Sequence, residues 1–262
     1  MKISKDRIVL NRRGSKGVIA KKIIEYFPKF DRLVSLFFGS GAIEFQFLGK
    51  IKYLIANDLD SNVFNLYEQI KHNCDALIDC VSMIPYHPCI FTPQADPDPV
   101  KKAAFFAAAA NYSYLSGGGT LKYGRQNAKK ILKRKIKELY LQIVDNPTTT
   151  TQFMSAPFDA VFKKIEKRFF PSFIYCDPPY IGVSQATYNT PTFMRHDLER
   201  LVQLLLSSKQ QFAISEFDSP CVLEIVKKNG LNIINIGNRR NLANRRNEII
   251  ITNYIPQQPS PW

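Results

Sequence analysis

Two short apolar segments, one ending in a glycine turn and the other in an acid, constrain the fold of this chain most. RLVSLFF, residues 32–38, runs into Gly39-Ser40-Gly41, and KYLIAND, residues 52–58, ends in an aspartate. Each is followed by a segment that reads as a helix, GAIEFQFLGK and SNVFNLYEQIK. Strands that alternate with helices in this way predict a parallel, doubly wound sheet of the α/β class.

The same alternation returns in the second half of the chain. After residue 157 a helix, the strand SFIYC, a helix, the strand QQFAIS and a further helix are predicted. The last two strands, LNIINIG and NEIIITNYI, should form a C-terminal antiparallel hairpin around the arginine-rich loop NRRNLANRR. An amphipathic helix is expected before the first strand, over residues 15–26.

Residues 74–156 interrupt this rhythm. They contain a proline-rich stretch, an alanine-rich helix at 101–112, the glycine loop SGGGTLKYG, the basic helix QNAKKILKRKIKELYLQIV and a threonine run that reads as a linker. We therefore predict a catalytic domain made of residues 1–73 and 157–262. Residues 74–156 are predicted to be an inserted, mostly helical target-recognition subdomain.

Charge indicates the kind of partner. Lysine and arginine number 36 against 22 acidic residues, which gives a formal charge of +14. Such an excess attracts polyanions, and the 12% of aromatic residues supplies rings on which bases stack. Nucleic acid is thus the favoured partner, and the alternative is a basic protein adapted only for solubility.

Cysteines and hydropathy bear on location and metals. The five cysteines lack CxxC spacing, so we expect reduced thiols. The cluster of His72, Cys74, Cys80, His87 and Cys89 matches no familiar zinc pattern, and no metal is expected. Because no apolar run approaches the ~20 residues of a membrane span and no signal peptide is evident, we expect a cytoplasmic, nucleoid-associated protein without membrane contact.

The glycine turn and Asp58 together suggest a nucleoside cofactor. Glycines after the first strand let a ligand approach the backbone, and an acid at the end of the next strand can accept hydrogen bonds from both ribose hydroxyls. The turn is not GxGxxG, and no Walker pattern GxxxxGK[ST] occurs in the sequence. Dinucleotide chemistry and phosphoryl transfer are therefore disfavoured.

Asp177-Pro178-Pro179-Tyr180, directly after a predicted strand, carries the strongest chemical signal. Two prolines make a rigid corner without N–H donors, so the Asp177 side chain and the Pro178 carbonyl present acceptors only. An exocyclic amine such as N6 of adenine needs this arrangement, because acceptors that hold its hydrogens free its lone pair for attack on a methyl donor. Tyr180 would stack on the base.

These motifs resemble the D12-class adenine-specific DNA methyltransferases, the group that includes the Dam methylases. RRGSKG, LFFGSGA, NDLDSNVFNLY, YCDPPY and RRNEIIITNY match its motifs in the alpha order. The resemblance implies a Rossmann-like methyltransferase fold that uses S-adenosylmethionine. It implies a cofactor set of Arg12, Lys16, Phe38, Gly39, Ser40, Gly41, Asp58, Phe158 and Asp177. Arg12 stands where the family usually has Trp, and Ser35-Leu36 where it has Glu-Pro.

DNA contact follows from the same interpretation. A base inside a duplex cannot reach the corner, so the adenine must flip out, at a cost of a few kcal/mol. Side chains that can contact phosphate or bases are Lys122, Tyr123 and Arg125 near the glycine loop, Lys129, Lys130, Lys133 and Arg134 on the basic helix, and Arg239, Arg240, Arg245 and Arg246 at the C-terminal loop. A solvated charged face is an equal alternative for the basic helix.

The resulting prediction is a site-specific adenine N6-methyltransferase acting on double-stranded DNA, with catalytic residues Asp177, Pro178, Pro179 and Tyr180. Two alternatives are an N4-cytosine methyltransferase, which commonly has Ser in place of Asp177, and a non-catalytic basic DNA-binding module of the same fold. A cognate restriction endonuclease acting on the same site is a candidate partner. We expect a monomer or a weak dimer.

Overall fold

The computed structural model describes residues 8–12, 14–92, 96–114, 119–122, 127–146, 148–166, 171–185, 189–240 and 245–257. The strands within these ranges are β1 Arg32–Ser35, β2 Tyr53–Asn57, β3 Thr150–Met154, β4 Phe173–Cys176, β5 Gln211–Phe217, β6 Asn232–Arg240 and β7 Arg245–Thr252. The α-helices are α1 Ala20–Ile24, α2 Ser61–His72, α3 Cys74–Met83, α4 Pro99–Tyr112, α5 Ala128–Val144, α6 Phe158–Glu166, α7 Arg195–Ser207 and α8 Pro220–Lys228.

One seven-stranded sheet organises the molecule, with the strand order β3-β2-β1-β4-β5-β7-β6. β3, β2, β1, β4 and β5 are parallel, whereas β7 pairs antiparallel with both β5 and β6. The strand order reverses between β1 and β4, and ligands of open α/β sheets bind outside the carboxyl ends of the strands at such a point. The predicted doubly wound sheet with a C-terminal antiparallel hairpin is confirmed.

Two hydrophobic cores cover the two faces of the sheet. Alternate residues along a strand face opposite sides, so Leu33 and Tyr175 join one core while Val34 and Ile174 join the other. The first core takes in buried residues of α1 to α5, and the second those of α6 to α8. Strands buried on both faces explain why FIYC and the centre of RLVS are apolar without alternation.

The inserted segment is packed on the sheet. α3, α4 and α5 contact α2 and bury their apolar faces in the first core. The threonine run is a strand, since Thr150–Met154 pairs with all of β2, and its interpretation as a linker is wrong. Thr151 and Phe153 are buried while their neighbours are more exposed, which is the alternation of a strand. The division into 1–73 with 157–262 and 74–156 stays a prediction, with the qualification that β3 of the sheet falls inside the second range.

Two predicted helices are shorter than expected. The helix predicted over 15–26 is limited to Ala20–Ile24, and GAIEFQFLGK contains only the 3₁₀ turn Glu44–Phe47. Gly41 and Gly49, which flank this turn, have positive φ values of 66° and 81°, so the backbone leaves the helical region on both sides. No helix in the described ranges has the length and apolar character needed to cross a membrane.

Candidate active site

The glycine turn after β1 is fixed by the neighbouring strand β2. The Phe38 amide donates to the Asn57 carbonyl at 2.8 Å, and the Gly39 amide donates to the Asp58 carboxylate at 2.7 Å. A Cβ on Gly41 would lie 2.5 Å from the Phe45 ring, so only glycine fits there. A Cβ on Gly39 would meet no atom within 4 Å, which shows open space beside the turn. The turn therefore presents backbone to an open edge of the sheet.

Asp58 and Asp60 form an acidic pair next to this turn. The second carboxylate oxygen of Asp58 accepts the Asp60 amide at 2.9 Å. Asp60 caps α2 by accepting the Asn62 amide, and its other oxygen pairs with Arg12 at 3.0 Å. Burial raises the pKa of Asp58, while the positive charge of Arg12 acts in the opposite direction. The strand-end acid is thus oriented by two main-chain donors.

The Asp-Pro-Pro-Tyr corner follows β4 directly. All four residues of β4 are buried, whereas the Asp177 side chain keeps 21% of its surface exposed. Lys16 donates to Asp177 Oδ1 at 2.5 Å, although only 2% of the Lys16 side chain is exposed. The predicted residues Lys16 and Asp177, far apart in sequence, are therefore in direct contact.

Glu248 of β7 completes this buried group, and sequence reasoning missed it. Its carboxylate lies 3.4 Å from Lys16 Nζ and accepts a hydrogen bond from the Tyr180 hydroxyl. Lys16 Nζ also lies 4.6 Å from the centre of the Tyr180 ring, a cation–π contact. The Tyr180 ring packs edge-to-face against the Phe217 ring, with centroids 4.6 Å apart. Tyr180 is consequently held by its hydroxyl and by its ring.

Two further carboxyl groups, also missed, lie buried beside the corner. Glu216 of β5 accepts the Ile181 amide at 3.0 Å through Oε1, and Glu44 accepts the Ser35 hydroxyl at 2.6 Å. Burial raises the pKa of Glu216 to about 9 and that of Glu44 to about 8, and the nearby charge of Asp177 adds to both shifts. Both groups are neutral acids at pH 7. An acid inside an apolar strand run, as in FAISEF and NEIIIT, was the sequence signal for Glu216 and Glu248.

The remaining predicted cofactor residues lie around the turn. Ser40 Oγ is 2.9 Å from Ser15 Oγ, which joins the turn to the segment that carries Lys16. The Phe38 ring packs in the core against Phe45, Tyr67 and Phe153, so any contact of Phe38 with a donor would use its main chain. Phe158 is buried in the second core, 5.9 Å from the Phe37 ring and beneath the Arg200 guanidinium.

The predicted basic contacts fall into three groups. On α5, Lys129 and Lys133 donate to Ser82 and Arg134 pairs with Glu138, so these cations have partners within the protein, while Lys130 is exposed. Lys122 donates to the carbonyl of Asn111. Tyr123 and Arg125 lie outside the described residues.

At the C-terminal hairpin, Arg239 and Arg240 end β6, and Arg245 begins β7. Arg246 lies beside the Asp-Pro-Pro-Tyr corner. Its guanidinium donates to the carbonyl of Gly182 at 3.4 Å and lies 5.7 Å from the Phe217 ring centre.

The histidines of the cysteine and histidine cluster make local contacts within the protein. His87 Nδ1 accepts the Cys89 amide, and His72 pairs with Glu68. Within the described part of the chain, no group of three or more His, Cys, Asp or Glu side chains is placed to hold a metal ion.

The positions of these groups define a class of protein. An oriented acid beside an open glycine turn suits a nucleoside donor, and a carboxylate followed by two prolines, which have no N–H groups, suits an amine. The two meet at one edge of a doubly wound sheet, as group transfer between them requires.

The family follows from comparison with known proteins. The model of the D12 class N6 adenine-specific DNA methyltransferases matches residues 13–87 and 103–242, and the chain belongs to this family. It is thus an adenine-specific DNA methyltransferase, its substrate is DNA and its methyl donor is S-adenosylmethionine. The predicted family, enzyme class and cofactor are confirmed.

Named relatives are similar over most of their length. The Type II methyltransferase M1.LlaDCHI of Lactococcus lactis subsp. cremoris is 26% identical over 256 residues, 86% of this chain and 87% of the relative. The DNA adenine methylase of Haemophilus influenzae is 25% identical, and the match covers 70% of this chain and 67% of the relative. The DNA adenine methylase of Escherichia coli K12 is 22% identical, and the match covers 86% of this chain and 88% of the relative.

Proposed function

We propose that the Asp177 corner binds an adenine that has flipped out of duplex DNA and holds its N6 amine for methylation. The observation that supports this most is the partly exposed carboxylate of Asp177, placed at the sheet edge by a buried strand and followed by two prolines. The Asp177 carboxylate and the Pro178 carbonyl accept the N6 hydrogens, and Pro179 keeps the corner rigid. Tyr180 stacks on the base, which offsets part of the cost of flipping.

Lys16 supports Asp177 in this scheme. Its buried ammonium holds one carboxylate oxygen at 2.5 Å, so the carboxylate cannot turn freely about its side-chain bonds. The positive charge of Lys16 also faces this carboxyl group, and a charge-assisted acceptor is the stronger one for an amine that becomes cationic as the methyl group is transferred. Lys16 is therefore assigned to the amine side of the site rather than to the donor alone.

The glycine turn and Asp58 are proposed to hold S-adenosylmethionine. These residues fit the group, because the space beside Gly39 is open and Asp58 is a strand-end carboxylate oriented by the Gly39 and Asp60 amides. When bound, S-adenosylmethionine supplies an electrophilic methyl group on a cationic sulfur. Arg12 supports this region through its pair with Asp60, and Phe158 closes the neighbouring face of the sheet.

Arg246 is the proposed phosphate contact nearest to the flipped base. Its position beside Gly182 and Phe217 places a cation within reach of the corner, whereas α5 directs two of its lysines to Ser82. The hairpin that carries Arg239, Arg240, Arg245 and Arg246 is thus favoured over α5 as a DNA-contacting element. Recognition of the surrounding sequence is assigned to residues 74–156.

The test is methyl transfer to unmethylated genomic DNA with labelled S-adenosylmethionine, followed by nucleoside analysis and sequencing of the modified sites. Label in N6-methyladenine is expected, and the Asp177→Ala variant should transfer none while keeping salt-sensitive DNA binding. Label in N4-methylcytosine, or transfer that survives Asp177→Ala, would contradict the proposal. Flipping is tested separately with 2-aminopurine at the mapped target position, whose fluorescence should rise when the protein binds.

Partners beyond DNA remain predictions. A restriction endonuclease with the same site would be identified by its failure to cut DNA that this protein has methylated. A monomer or weak dimer is expected, and sedimentation with and without DNA measures it.

A further inference from the structure

We propose that Glu248 is a positioning residue for methyl transfer, which fixes the Tyr180 ring and the Lys16 ammonium relative to Asp177. This inference rests on the proposed roles of Tyr180 and Asp177. Glu248 lies on β7, away from the Asp-Pro-Pro-Tyr corner in sequence, and is not expected to touch the reacting atoms.

The burial of Glu248 needs an explanation. Only 1% of its side chain is exposed, and the residues that follow it, Ile249, Ile250 and Ile251, are all core residues. A carboxylate buried in such a strand costs several kcal/mol unless cations and donors surround it. Two donors that contact this carboxylate are Lys16, at 3.4 Å, and the Tyr180 hydroxyl. Both belong to the proposed amine site, so these two contacts connect the buried carboxylate to that site.

The backbone around Glu248 is held from both sides. Glu248 pairs with Phe217 of β5 and with Gly237 of β6, and the register shifts at Gly237. The φ of Gly237 is +115°, a value that favours glycine, so this irregularity in β6 is specified by the sequence. A central strand position fixed in this way holds a positioning group more rigidly than a loop would.

A chain of contacts connects Glu248 to Asp177. Glu248 holds Lys16, and Lys16 in turn holds Asp177 Oδ1 at 2.5 Å. On the other side Glu248 holds the hydroxyl of Tyr180, whose ring also contacts Lys16 and Phe217. Removal of the Glu248 carboxylate should loosen the base-stacking ring and the amine-binding carboxylate together. Misplacement of such groups by about 1 Å can cost about 100-fold in rate.

The test compares Glu248→Gln and Glu248→Ala with the wild type on a duplex that carries a mapped target site. The alanine variant is expected to lose about 100-fold in kcat, with KM for S-adenosylmethionine changed less than about twofold. The glutamine variant keeps an acceptor for the Tyr180 hydroxyl but not the charge facing Lys16. Its kcat is expected to lie between those of the wild type and the alanine variant, at about a 10-fold loss. If the alanine variant does not fold, the glutamine variant alone provides the test.

Tyr180→Phe, which keeps the ring and removes the hydroxyl, tests the contact itself. In the Glu248→Ala background it should lower kcat no further, since its partner is already gone. Glu199→Gln, on the surface pair with Arg195, is the matched control and should behave as the wild type. Folded Glu248 variants with wild-type kcat, or fully additive losses in the double variant, would overturn the inference.

Failure of the proposed function is a separate result. If the wild type methylates no adenine, the double-mutant cycle is measured instead by urea unfolding. Additive effects of Tyr180→Phe and Glu248→Ala on unfolding would then overturn the role of Glu248, while non-additive effects would support the contact.

Discussion

Glu216→Gln should remove a large part of the pH dependence of stability. Glu216 is fully buried on β5 and its folded-state pKa is raised to about 9, compared with 4.5 for a free glutamate. Between these two pH values the folded protein keeps a proton that the unfolded chain has released. Stability therefore falls as the pH rises through this window, and glutamine, which has no proton to lose, abolishes the contribution.

The expected size follows from one proton. A difference of one bound proton changes the free energy of unfolding by about 1.4 kcal/mol per pH unit, so Glu216 alone should cost the wild type about 2–3 kcal/mol between pH 6 and 8. Glu44, whose pKa is raised to about 8, adds a similar slope over most of this range. Because Glu44 is present in both proteins, subtraction isolates Glu216. Glutamine can still accept the Ile181 amide, so the variant should fold.

Urea unfolding at pH 6, 7 and 8, monitored by circular dichroism, measures how the free energy of unfolding changes with pH in the wild type and in Glu216→Gln. The wild type should lose stability relative to Glu216→Gln at each step. Parallel slopes for the two proteins would refute the reasoning, since they would mean that Glu216 is ionised in the folded state. Glu138→Gln, on the exposed side of α5, should leave the wild-type slope unchanged.

Three further predictions concern the turn, the donor and the DNA. Gly41→Ala should destabilise the protein by about 2–4 kcal/mol in urea unfolding, because it combines a positive φ with a clash, whereas Gly230→Ala, with a φ of 62° and open space, should cost about 1–2 kcal/mol. Asp58→Asn should raise the Kd for S-adenosylmethionine about 10-fold in calorimetry, because an amide is a weaker acceptor for ribose hydroxyls. Arg246→Ala should reduce the salt dependence of DNA binding by about one phosphate contact, while Lys52→Ala, at the opposite edge of the sheet, should not.

The sequence predicted the sheet well because its strands are buried on both faces. RLVS, YLIAN and FIYC are short and mostly apolar, and short runs that end at glycine, an acid or proline favour buried strands over helices. TTQFM was missed, because threonine and glutamine at an edge strand resemble a loop until the pairing with β2 is known. The length of α1 was overestimated, since periodicity does not reveal where a turn replaces a helix.

Site residues with a local sequence signature were predicted, and one that depends on tertiary contacts was not. Asp177 and the glycine turn were found because proline and glycine leave a local signature. Glu248 was not found, because its role depends on a strand pairing that brings residues 16, 180 and 248 together. A single acid in an apolar strand is compatible with an exposed position, and only the tertiary structure shows that it is buried.

The balance of charge at the corner connects these observations. Of the five groups that meet there, Glu44 and Glu216 hold their protons at pH 7, as the raised pKa values require. Asp177 and Glu248 are the two carboxyl groups that contact Lys16. In the proposed reaction a positive charge enters on the methyl donor and moves to the adenine amine. Acceptor side chains at the corner can stabilise that positive charge at both stages, whereas ionisation of all four acids would impose a large repulsion inside the protein. The protonated forms of Glu44 and Glu216 therefore allow two further buried carboxyl groups to lie close to Asp177.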